Sequence, residues 1–216
     1  MEVFLLKASI SFIFQKKIGI INLMLDFTYN SKNIKVQKGD LLISEPFLSD
    51  PNFKRTVILV CEHNDVGSFG FVLNKQSLLQ GSDVLEEADS LTAPLFVGGP
   101  VQQNTLHFIH RHMLETVGGE QIIDGIRWGG NFENLLAGLN TNTVNLADFK
   151  FFLGYSGWDA GQLEEELAGN SWIVYKNTTT EDIFETDPDD LWRRVLQQMG
   201  GKYKVISNYP TDPRLN

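Results

Sequence analysis

A single cysteine, Cys61, is all the thiol that this 216-residue chain carries. One thiol forms no internal disulfide, so nothing marks an oxidising compartment and a cytoplasmic location is expected. Basic residues are also scarce: 18 Lys and Arg against 27 Asp and Glu leave a formal net charge of −9. The cations Lys16, Lys17, Lys35, Lys38, Lys54, Arg55, Arg193 and Arg194 are scattered, and no basic run alternates with aromatics. An acidic surface repels phosphate backbones, which disfavours nucleic acid as a partner. No apolar run reaches the ~20 residues of a membrane-spanning helix, so no membrane association is expected. There is no G-x-x-x-x-G-K-S/T phosphate loop. The histidines lack metal-ligand spacing: on a strand, His107 and His110 face opposite sides, and His110 shares a face with His112 only if the strand runs past Arg111. Neither a metal nor a cofactor is expected.

What is present is an ordinary globular composition, 42% apolar and 21% charged, on a chain long enough for a sizeable core. Residues 1–23 are apolar but interrupted by Lys7, Lys16 and Lys17, and no small-residue cleavage site follows. They read as an upstream extension, with the natural start at Met24; an added helix or strand and a poor signal sequence are the alternatives. A domain over 24–206 and an extended tail over 207–216, which contains two prolines, complete the division.

Hydrophobic patterning places the elements. TVILVCEH, residues 56–63, is almost continuously apolar and β-branched, as a strand buried on both faces must be. A turn at 64–68 and a returning strand at 69–74 make a hairpin. Further strands are expected at 94–97, 106–110, 149–155 and 171–175. Helices are expected from about Ser82, at 131–138, at 159–168 after a turn at 156–158, and from Asp187-Pro188, where Asp caps and Pro opens the first turn. Hairpins mixed with helices, without βαβα alternation, predict an α+β single domain with a mixed, largely antiparallel sheet flanked by helices.

Several residues invite chemical readings. Ser156, in Gly-Tyr-Ser-Gly-Trp, resembles a nucleophile elbow but has Trp158 where the pattern needs Gly; the alternative is a tight turn. Cys61 and His63 are two apart on one strand, hence on one face, and a Cys–His pair can make a thiolate. Against this, Cys61 lies in an apolar run, where cysteine is a small buried hydrophobe. Glu62 and His63 end a central strand, where they serve either a site or the following turn. Asp50, Asn52, Arg55 and Thr56 lead into that strand; Arg55 either grips an anion or pairs with Glu45 or Asp50. Gly98, Gly99 and Pro100 read as a bend allowing close backbone approach. Tyr155, Trp158, Gln162 and Glu165 surround a strand–helix junction, either a ligand wall or packing.

Four segments taken together resemble the AlgH/YqgE family: GDLLISEPFLSDPNFKRTVILVCEHN (39–64), GSFGFVLNK (67–75), LFVGGPV (95–101) and GYSGWDAGQLEEELAGNSW (154–172). They cover most of 39–200 in order and spacing, and the ending SNYPTDPRLN is similar to members from Bacteroidetes-like bacteria. The resemblance implies an α+β fold around a mixed sheet. It attaches no firm activity, although one branch was named for a role in alginate regulation with transcriptional control suggested. The family motif often carries Ala where this chain has Ser156. The expected function is a non-catalytic cytosolic protein binding a protein partner or a small anionic ligand. Its groove is drawn from Asp50, Asn52, Arg55, Thr56, Glu62, His63, Asn74, Gly98, Gly99, Pro100, Tyr155, Trp158 and Gln162. The rivals are an enzyme using His63 or Glu62 as acid/base with Arg55 as anion clamp, and a transcriptional regulator.

Overall fold

Burial decides where the sheet has its centre. Val57, Ile58, Leu59 and Val60 are all 0% exposed, so both faces of their strand are covered. Each such side chain contributes roughly 1.5–3 kcal/mol relative to an exposed position. The computed structural model describes residues 34–85, 89–111 and 116–210. The upstream segment 1–23, Met24, His112 and the last six residues of the expected tail lie outside the described residues.

The strands are β1 (Leu41–Ser44), β2 (Val57–Asn64), β3 (Gly67–Val72), β4 (Gln76–Gln80), β5 (Pro94–Val97), β6 (Val101–His110), β7 (Glu120–Ile123), β8 (Ile126–Trp128), β9 (Phe149–Asp159) and β10 (Trp172–Tyr175). The helices are α1 (Gly81–Val84), α2 (Phe132–Asn140), α3 (Gln162–Ala168), α4 (Thr180–Phe184), α5 (Pro188–Met199) and α6 (Gly201–Ile206). Among the described residues the strands form one ten-stranded sheet, ordered β10-β1-β2-β3-β9-β6-β8-β7, with β4 and β5 branching off β9. Every pairing is antiparallel except β5 with β9, which makes the sheet mixed and the fold α+β.

The sheet forks on β9. Its first half, Phe151–Leu153, runs beside β5; its second half, Ser156–Asp159, runs beside β3. β6 follows the opposite edge of the first half and meets the second at Val101, opposite Tyr155. Gly98 sits in the fork, where its carbonyl accepts from the Val72 N–H and its N–H donates to Leu153 O.

Three apolar clusters cover the faces. One lies under α5 and α6, with Leu191, Trp192, Val195, Leu196 and Ile206 against Leu59, Phe71 and Phe152. The second lies under α3 on the other face, with Leu163 and Leu167 against Ile58, Val60, Val72 and Trp172. The third packs Leu135 of α2 on Phe108, Phe149 and Phe151. As expected, α5 opens on Asp187, whose side chain accepts from Asp189 N–H, with Pro188 next and a buried stripe of Leu191, Trp192, Val195 and Leu196.

The structure corrects three expectations. Ser156-Gly157-Trp158 is not a turn: β9 continues to Asp159, because β3 offers an open edge to pair with, and the chain turns only at Ala160-Gly161. The helix accordingly starts at Gln162 rather than 159, after a left-handed Gly161. The stretch before Ser82 holds β4, and the helix there is the single turn α1. Beyond Gly200-Gly201, which end α5 as expected, α6 adds another helical segment inside the domain expected over 24–206.

Candidate functional site

Two interruptions in strand pairing determine which side chains reach the main cleft. On β2, Val60 pairs with Gly70 but Glu62 pairs with Phe69, leaving Cys61 as the extra residue of a bulge. A bulge resets the two-residue alternation, so Cys61 and Glu62 fall on one face and His63, opposite Ser68, on the other. Cys61 belongs to the cluster under α5, whereas His63 Nε2 lies 3.5 Å from Glu164 of α3 on the opposite face. The expectation that Cys61 and His63 share a face is therefore overturned, and with it the Cys–His thiolate. Burial also raises the Cys61 thiol well above its ordinary pKa.

The second interruption is Gly154. β9 passes from Leu153 to Tyr155 through Gly154 alone, while β6 spends residues 102–105 on the same interval. Gly154 has φ +65°, and a Cβ there would lie 2.5 Å from Val101 O. The shift puts Tyr155 on the same face as Phe152 and turns Ser156 away, fully buried, with its hydroxyl donating to Gly98 O at 3.0 Å. Such a serine is a strand hydrogen-bonder, not an exposed nucleophile.

The cleft created on that face has a volume of about 540 Å³, within the usual range of small-ligand sites. Its wall is aromatic. Phe69 lies 4.8 Å from Trp128, 6.0 Å from Phe71 and 6.1 Å from Tyr155, with ring planes inclined at 63°, 79° and 80°. His107 closes the circuit at 5.5 Å from Phe71 and 5.8 Å from Tyr155. Burial lowers the His107 pKa, so its ring is neutral near pH 7. Its Nε2 lies 2.9 Å from Thr105 Oγ1. Glu62, Asn64, Asp159 and Gln162 supply polar groups, and among the described residues no lysine or arginine lines the space.

Of the residues expected to form a groove, Glu62, Tyr155, Trp158 and Gln162 line this cleft. Trp158 is mainly structural. It is 6% exposed, and its indole N–H and that of Trp172 both donate to Glu166 Oε2, at 2.9 and 2.7 Å. The spacing Trp158, Glu166, Trp172 in the matched motif is thereby explained as one hydrogen-bonded clamp. Glu62 and His63 also bond the turn beside them: Asn64 Nδ2 donates to Glu62 Oε1 at 2.6 Å, and His63 Nδ1 lies 2.7 Å from Ser68 Oγ.

The others sit elsewhere. Arg55 precedes β2 while Glu62 is near its far end, roughly 20 Å away at strand rise. Its guanidinium lies 4.5 Å over Trp192 and donates to Tyr209 O, tying the C-terminal segment to the fold. It pairs with neither Glu45 nor Asp50. Asp50 accepts from Asn52 N–H, and buried Thr56 donates its hydroxyl to Phe53 O. Asn74 accepts from Val57 N–H and donates to Arg55 O, bracing the start of β2. Gly98 and Gly99 allow the close approach expected of them: a Cβ on Gly99 would come within 2.3 Å of the Tyr155 backbone. Pro100 follows immediately and delivers the chain to Val101. His107 and His110 do face opposite sides, and His110 Nε2 lies 3.2 Å from Gly129 O. Among the described residues no His, Cys, Asp and Glu group could hold a metal ion, and no helix is long and apolar enough to cross a membrane.

A family model described as AlgH-like matches residues 41–204. The chain belongs to the AlgH-like family. A UPF0301 protein of Cytophaga hutchinsonii is 49% identical over 183 residues, covering 83% of this chain and 98% of the relative. A UPF0301 protein of Chlorobium limicola is 41% identical over 182 residues, covering 84% and 97%. Among solved structures, the AlgH protein of Pseudomonas aeruginosa superposes with a TM-score of 0.64 at 27% identity, covering 82% of this chain and 98% of that one. A Corynebacterium diphtheriae protein shares the fold with a TM-score of 0.68 at 21% identity, covering 82% and 94%. This AlgH-like chain thus joins a family whose names state no reaction, and its cleft must be read from its own geometry.

His107 was weighed in the sequence only as a metal ligand, and Phe69, Phe71, Val101 and Trp128 were missed as site residues. Each looks like core in an apolar strand, and only the pairing of β3, β6, β8 and β9 reveals that they surround a space. The paired aromatics FGF in a turn-flanked segment were the one available signal.

Proposed function

We propose that this AlgH-like protein is a non-catalytic binding protein whose ligand enters the aromatic cleft between β3, β6, β8 and β9. The observation that carries the reading is a space of about 540 Å³ lined by Phe69, Phe71, His107, Trp128 and Tyr155 together with Glu62, Asn64, Asp159 and Gln162. Such a wall suits recognition through apolar and ring contacts, with Glu62 orienting the ligand; Gln162 accepts from Asp159 N–H and donates to Glu166. The catalytic alternative is weakened by the same geometry. His63 faces away from Glu62, Arg55 stands at the other end of β2, and Ser156 is buried on Gly98 O. A regulatory role remains compatible with ligand binding, and the acidic charge argues against direct DNA contact. A cytoplasmic setting is part of this proposal.

The test is a thermal-shift screen of the purified chain against amines, sugars, nucleotides, carboxylates and short peptides. A ligand present at a hundred times its dissociation constant stabilises the folded state by roughly 2.7 kcal/mol. The expected result is at least one hit that is abolished in Trp128→Ala and Tyr155→Ala and retained in Arg55→Ala. A hit retained in both cleft variants would overturn the assignment of the site.

A further inference from the structure

The expectation of an anionic ligand rested on Arg55, and Arg55 is not at the cleft. The groups that are there have the opposite preference. Among the described residues lining the space, Glu62 and Asp159 are carboxylates and none is a lysine or arginine. His107 adds no positive charge at neutral pH, since burial favours its neutral form. Phe69, Trp128 and Tyr155 carry negative electrostatic potential on their ring faces. The planes of Trp128 and Tyr155 are inclined to that of Phe69 at 63° and 80°, so the wall is not a parallel slot for a flat molecule. The chain as a whole carries a net charge of −9, which attracts a cation on approach.

We propose that the cleft selects an organic cation, a quaternary or alkylated ammonium group, held by the ring faces of Phe69, Trp128 and Tyr155 with Glu62 as counter-charge. The inference rests on the reading of this cleft as the ligand site and adds the class of ligand. A cage of aromatic faces with one carboxylate discriminates a cation from its neutral isostere, because cation–π attraction and ion pairing act only on charge while the apolar contacts are equal for both. The same chemistry is offered by a free small amine or by a methylated lysine side chain of a partner protein.

Choline, its neutral isostere 3,3-dimethyl-1-butanol, and a blocked Ala-trimethyllysine-Ala peptide separate the cases. Each is titrated into the full-length protein, with Trp fluorescence and calorimetry as readouts. The expected result is saturable binding of choline or the peptide, at least tenfold weaker binding of the isostere, and at least tenfold weakening in Glu62→Gln. Trp128→Leu should also weaken the cation and leave the isostere little changed; far-ultraviolet circular dichroism checks that both variants fold. Tighter binding of the peptide than of choline identifies a protein partner as the source, and the reverse identifies a small amine. Equal affinity for choline and its isostere overturns the cation proposal and leaves the cleft standing as an apolar ligand site. Binding of none of the probes overturns the cation proposal as well, while a hit of another class in the thermal-shift screen would still support the cleft.

Discussion

Lys150 offers the sharpest quantitative test of this fold. It sits on β9 facing the cluster under α5, and only 9% of it is exposed. Its ammonium donates to Ile183 O at 3.2 Å and lies 4.1 Å over the Phe96 ring, and no carboxylate pairs with it among the described residues. Burial therefore penalises the charged form and lowers its pKa from 10.5 to about 7. In the unfolded chain the group keeps its ordinary value, so between those two values the unfolded state binds more protons. The contribution of Lys150 to the unfolding free energy must then rise with pH across the window from about 7 to 10.5. The full shift corresponds to about 5 kcal/mol at 1.36 kcal/mol per unit, and the segment between pH 7 and 9 to about 2 kcal/mol. Burial raises Tyr175, Tyr203 and Tyr209 above their usual pKa. The raised tyrosines lower stability only as pH passes 10 and the raised Cys61 thiol only as pH passes about 9, so measurements stop at 9. Urea unfolding of the native protein and of Lys150→Met at pH 7, 8 and 9 isolates the effect of this lysine. The difference in stability between the two should shrink by about 2 kcal/mol over that range, with the variant the more stable at pH 7. Curves that stay parallel would refute the claim that Lys150 is buried without a counter-charge.

Three further outcomes are expected. Glu166→Ala strands the buried indole N–H groups of Trp158 and Trp172 and should cost roughly 2–4 kcal/mol in chemical unfolding; Glu166→Gln, which keeps an acceptor oxygen, should recover most of it. Gly154→Ala places a Cβ 2.5 Å from Val101 O at a positive φ, so it should destabilise by at least about 2 kcal/mol and weaken any cleft ligand through displacement of Tyr155. Arg55→Ala removes the stack on Trp192 and the bond to Tyr209 O, which should lower stability by about 1–2 kcal/mol while leaving choline affinity unchanged, measured by calorimetry.

Much of this could be read along the chain because the responsible interactions are local or strongly periodic. The run from Val57 to Val60 announced a strand covered on both faces, Asp187-Pro188 announced a helix start, and the glycines at 98 and 99 announced close backbone approach. The motif pieces between 39 and 172 carried the family. Tertiary structure decided the rest. Alternation along β2 and β9 predicts a face for every side chain only while the pairing register holds. It slips at Cys61 and at Gly154, and after each slip the assignments reverse. That reversal removes His63 from the side of Cys61 and turns Tyr155, rather than Ser156, toward the cleft. Arg55 and Glu62 are close in sequence, but Arg55 precedes β2 and Glu62 lies near its far end. Phe69, His107 and Trp128 are far apart in sequence and become neighbours because β3, β9, β6 and β8 lie side by side. Strand order and register arise from long-range backbone hydrogen bonding, which no short window of residues encodes. The sequence itself determined the layers and the core of this AlgH-like chain, and the sheet's bulges and its fork on β9 decided which residues share a site.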